Sequence, residues 1–136
     1  MILILISQSI TATAAVICII IFLAMSIFQL LLVFGAPFGN LAWGGKYKIL
    51  PFYLRIGSFI SALIFVFAAI IMLEKANLIA VINSSGIVSF SIWFLAGLFG
   101  LSSLGNIMSK SMQEKRIMTP IALIIFFLCL TVAIGD

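Results

Sequence analysis

Seven residues carry the chemistry open to this chain: Gln29, Gly39, Trp43, Lys46, Arg55, Asn106 and Glu114. Between them they offer two amide side chains, an indole N–H, two cations, one carboxylate and a permissive backbone position. These are groups for binding. A guanidinium fork and an ammonium grip carboxylates and phosphates, and amides orient what they hold. They are poor groups for catalysis. The chain has no histidine, so the commonest general base is missing. Its three acids are Glu74, Glu114 and Asp136, all at segment ends or in loops, and none is paired with another inside an apolar stretch. A non-enzymatic protein is expected. The imidazole ligands of metal sites are also missing, and neither a metal nor a cofactor is expected. Cys18 and Cys129 lie in apolar runs with no C-x-x-C spacing and read as small apolar residues.

Four of the seven lie in or at the end of one segment, Phe34 to Arg55, which reads FGAPFGNLAWGGKYKILPFYLR. Two readings of it stand side by side. In the plainer one, Trp43 and Tyr47 anchor the chain at headgroup level, while Gln29, Ser102, Ser103 and Asn106 hydrogen-bond between helices as glue. In the functional one, the segment folds back over a shallow cavity. Phe38, Leu41, Trp43, Ile49 and Leu50 are too apolar for a solvated linker, and irregular backbone near lipid is tolerated only where protein or a wet cavity covers it. Lys46, Lys48 and Arg55 would then offer positive charge to an anionic headgroup or phosphate. Arg55 could equally fork onto Glu114.

The elements that must position these groups follow from composition. The chain has 136 residues, 65% hydrophobic and 7% charged, with a mean hydropathy of +1.46. Soluble domains carry about 25% charged residues, so lipid is the expected solvent. Three runs reach the roughly 20 residues a crossing helix needs, about 10–34, 52–73 and 87–108; the fourth, about 120–135, is short, and is expected to begin a little earlier or to sit against a thinned bilayer. Gly35 and Pro37 end the first, and Pro51 precedes the second. Thr119 and Pro120 read as an N-cap and first position opening the fourth. Ala76–Ile82 is too short to cross and reads as a turn of helix lying at the interface or as the frayed end of span two. Asn83-Ser84-Ser85-Gly86 reads as a turn. On span two, Ser58, Ala62 and Ala69 make a small-residue stripe. Ala96 and Gly100 make a small-x-x-x-small pair, for packing within the bundle or between copies.

Four crossings put the first and third loops on one side. That side holds Lys46, Lys48, Arg55, Lys110, Lys115 and Arg116, and the other only Lys75. The positive-inside rule makes the basic side cytoplasmic and both termini extracytoplasmic. The net charge of +4 serves orientation, with no basic run or stacking platform for nucleic acid.

Gly35-Ala36-Pro37-x-Gly39, Ala42-Trp43-Gly44-Gly45, Leu50-Pro51 and Arg55 resemble a group of small bacterial integral membrane proteins with four predicted spans. Asn106, Ser109, Ser111, Glu114, Lys115, Arg116 and Pro120 fit the later part of that pattern. Here Glu114 is followed by Lys115 where the group has Arg. The resemblance implies a topology and a bacterial plasma (inner) membrane, and it implies no activity.

The sequence therefore predicts an all-α, four-helix transmembrane bundle in one domain, with a Gly/Pro/Trp-rich cytoplasmic loop between helices one and two. It predicts binding of a lipid headgroup, a small anion or a partner subunit at the cytoplasmic face. A small oligomeric transporter or channel is the second reading. Membrane lipids, a second copy or a membrane subunit are the expected partners.

Overall fold

Apolar residues recurring at three and four positions build four α-helices: α1 (Ile2–Val33), α2 (Phe52–Lys75), α3 (Ser85–Ile107) and α4 (Met112–Ile134). The structure, a computed structural model, describes residues 1–135, so the expectation for Asp136 lies outside the described residues. All four helices are long and apolar enough to cross a membrane. The 23 residues of α3 or α4 rise about 34 Å, against a hydrocarbon core of about 30 Å.

α1 packs along α2 and α3 along α4, and the two hairpins meet chiefly through α1 and α4. Near the chain termini, Thr11 faces Gly135 and shares a surface with Lys75 and Asn77. The first and third connections therefore gather at the opposite end. Small residues set the close approaches. Ser58, Ala62 and Ala69 are buried on α2, and the Ser26 hydroxyl donates to the Ala62 carbonyl at 3.1 Å across the α1–α2 seam. Ala96 is buried, and Gly100 admits the Phe126 ring, which would sit 3.2 Å from an added Cβ. That pair thus serves α3–α4 packing inside the bundle. At mid-depth Phe22, Phe65 and Phe99 meet with ring centroids 5.6 to 6.1 Å apart. Cys18 on α1 and Cys129 on α4 are both free and fully buried, and their side chains adjoin.

Three local expectations need correction. α1 begins at Ile2, not near Ile10, because its hydroxyls are absorbed by the helix: Thr13 donates to the Ser9 carbonyl at 2.8 Å. α4 begins at Met112, so Pro120 lies inside it and the N-cap is Ser111, whose hydroxyl accepts from the Glu114 amide at 3.2 Å. Met112 to Lys115 are good helix formers, and an interior proline removes only one intrahelical bond, the one to the Arg116 carbonyl. Ala76–Ile82 forms no helix. Glu74 folds this stretch back by accepting from the amides of Ile82 (2.9 Å) and Asn83 (2.7 Å).

Candidate functional site: a cavity under the first loop

The loop between α1 and α2 is folded against the bundle. Two single turns of 3-10 helix, Gly39–Leu41 and Trp43–Gly45, shape its middle. The Gly39 amide donates to the Lys48 carbonyl at 2.8 Å and closes the loop on itself. Only glycine allows this approach: a Cβ at position 39 would lie 2.8 Å from the Lys48 oxygen and closer still to the Tyr47 oxygen. Ala42 and Leu50 bury themselves against Leu32 of α1, which supplies the apolar anchor a solvated linker would lack.

Trp43 fastens the loop to α2. Its indole N–H donates to the fully buried Ser58 hydroxyl at 3.0 Å. Gly57 leaves the ring its place, since a Cβ there would stand 2.8 Å from two ring atoms. The backbone at Trp43 is left-handed, with φ of 54°, a conformation that bulky L residues avoid. The side-chain anchor therefore holds a strained backbone in place. A second clasp reaches α4. The Ser111 hydroxyl donates to the Asn40 carbonyl at 2.6 Å, and the Asn40 amide donates to Gln113.

Beneath the clasped loop lies a cavity of about 130 Å³, bounded by all four helices and the loop. Gln29, Trp43, Asn106 and Glu114 line it, with Ser102 beside them, and Phe65 and Phe99 of the aromatic triad form its floor. Its volume is close to that of the roughly 150 Å³ cavity known to hold benzene. Asn106 donates to the Met118 carbonyl at 3.3 Å. Glu114, 93% buried by its 7% exposure, accepts from the Ser109 hydroxyl through Oε2. Its Oε1 accepts nothing among the described residues. Among the described residues, the buried Gln29 Oε1 and Thr119 Oγ1 have no hydrogen-bond partner. An orphaned buried acceptor costs about 1–3 kcal/mol, and in a native fold such a group calls for a reason.

Four of the seven sequence-predicted residues thus meet in one cavity. The other three lie outside its wall. Gly39 is buried within the loop. Lys46 is exposed, with its ammonium 5.4 Å from the Tyr47 ring centroid. The Arg55 Nε donates to the Leu50 carbonyl at 2.8 Å, and its guanidinium packs under Gly35. Arg55 is therefore a strut of the loop, and among the described residues it forms no ion pair with Glu114. Near Lys46, the Tyr47 phenol is held below the ordinary tyrosine range, first by the Tyr53 hydroxyl donating to it and then by the Lys46 charge. Sequence reasoning missed Asn40, Gly57 and Gln113, whose importance arises only when the two loops meet. It also missed the aromatic floor, for which Phe65 and Phe99 at mid-span were the available signal.

Comparisons with protein-family models, curated proteins and solved structures find no match to this chain.

Proposed function

We propose that this chain is a multi-pass membrane protein that binds a small polar ligand in the cavity roofed by the 34–51 loop. The observation that carries this reading is the buried, partnerless Gln29 Oε1 on the wall of a cavity shared with Asn106 and Glu114. A bound donor group would recover the hydrogen bond that Gln29 lacks. The aromatic floor supports a closed bowl over a through-pore. The cluster of Lys46, Lys48, Arg55, Lys110, Lys115 and Arg116 at the loop end supports a cytoplasmic mouth in a bacterial plasma membrane, with both chain termini on the outer side. The role is binding and not turnover.

Native mass spectrometry of the chain, released gently from membranes, tests this. A small adduct is expected on the wild type and its occupancy should fall several-fold in Gln29→Leu. A wild type with no adduct, or an adduct indifferent to Gln29→Leu, would overturn it. Reporter fusions at the C-terminus test the orientation, with an extracytoplasmic signal expected.

A further inference from the structure

We propose that the group bound in this cavity is a primary ammonium ion, with Glu114 as its counter-charge. This rests on reading the cavity as a ligand site and assigns the ligand's class. Charge comes first. Lys46 and Arg55, expected to attract an anion, do not line the cavity, and among the described residues the only ionisable side chain that does is Glu114. An anion there would face a buried carboxylate with no cation on the wall, whereas a cation would face its complement.

Hydrogen-bonding capacity comes second. The wall keeps acceptor capacity in reserve: among the described residues the buried Gln29 Oε1 has no partner, the Glu114 carboxylate accepts from Ser109 through Oε2, and the Asn106 amide nitrogen is engaged with the Met118 carbonyl. An alkylammonium head carries three N–H donors and no acceptor, which suits a wall of surplus oxygens. The apolar remainder comes third. Trp43, Phe28, Phe65 and Phe99 present aromatic surface to the same space. Ring faces attract cations and accept a short alkyl chain. At about 130 Å³, room exists for a head and a few carbons. The amine could arrive free or as the headgroup of an ethanolamine lipid.

The test uses the intact chain in phosphatidylcholine nanodiscs, probed by saturation-transfer NMR. The probes are ethylammonium chloride, tetramethylammonium chloride, tert-butanol and sodium phosphate. Ethylammonium is expected to bind, tetramethylammonium at least several-fold more weakly because it has no N–H, and phosphate not at all. Glu114→Gln should weaken ethylammonium at least tenfold. It keeps an acceptor for Ser109, and continued protection of Cys18 and Cys129 from maleimide confirms the fold. Gln29→Leu, which leaves the charge in place, should weaken it several-fold. Unchanged ethylammonium binding in Glu114→Gln overturns the proposal. Binding of phosphate or tert-butanol that depends on Gln29, without ethylammonium binding, overturns the ammonium class and leaves the ligand site standing. Failure of every probe overturns both. Replacing the lipid by phosphatidylethanolamine distinguishes the sources: loss of the ethylammonium signal supports an amine supplied by the headgroup, and its persistence supports a free amine.

Discussion

Trp43→Phe should loosen the roof of the cavity by a measurable and bounded amount. The substitution keeps an aromatic body and deletes the donor to Ser58. Ser58 is fully buried, so its hydroxyl cannot turn to water. It can turn to a carbonyl one helical turn back, as Ser61, Ser103 and Thr131 already do at 2.8 to 3.0 Å. The net loss is therefore that of one ordinary hydrogen bond, about 1 kcal/mol. At room temperature that multiplies the open-loop population about fivefold. The left-handed backbone at Trp43 acts in the same direction, because the anchor is what holds it. Amide exchange over residues 34–51, followed by mass spectrometry in nanodiscs, reads this directly, with the Gly39 amide bonded to Lys48 as a sensitive reporter. Ser58→Ala should cost less, since Trp43 is 44% exposed and its N–H can reach solvent or headgroups. The double variant should be no worse than Trp43→Phe alone. Wild-type exchange in Trp43→Phe, or strict additivity in the cycle, would refute the clasp.

Gly39→Ala should disorder the loop more severely than Trp43→Phe, because the added carbon meets two backbone carbonyls that cannot rotate away. A cost of about 1–3 kcal/mol is expected, seen as faster exchange across residues 34–51 with α3 unaffected. Phe99→Ala removes one member of the triad and the cavity floor. It should lower stability by about 3–5 kcal/mol, read as a lower temperature at which the buried Cys18 and Cys129 react with maleimide. Tyr47 should ionise below the ordinary value of 10.0, and Tyr53→Phe should raise its midpoint in an ultraviolet titration. Because the shift is downward, any stability linked to it is present above the ordinary value. It disappears as pH falls through the lowered one.

The helices were legible because three of the apolar runs reach the length lipid requires, the fourth falls a few residues short, and all are bounded by Gly, Pro or charge. Their ends were less so. The first run read as starting near Ile10, yet hydroxyls can bond within a helix, and Thr13 does. Pro120 read as a start, yet a proline costs one bond and α4 has eight residues of helix before it. The site was half legible. Gln29 and Asn106 stood out as polar groups in apolar runs, Glu114 as a loop acid within reach of Arg55, and Trp43 as the aromatic of a glycine-rich loop. Arg55 and Lys46 lie outside the cavity wall, because charge in a sequence has no direction. Arg55 turns to a carbonyl only five residues back, a local geometry that no spacing rule reveals, and the ionisable group on the wall is Glu114.

The clasp between Asn40 and the Ser111–Gln113 turn joins residues more than seventy positions apart, which bears on biogenesis. The first hairpin leaves the ribosome with its tryptophan loop complete but with neither Asn106 nor Glu114 to close a wall. The bowl comes into being only when the second hairpin docks, so a half-made chain would hold its loop by the Trp43 clasp to Ser58 and the Gly39–Lys48 bond alone.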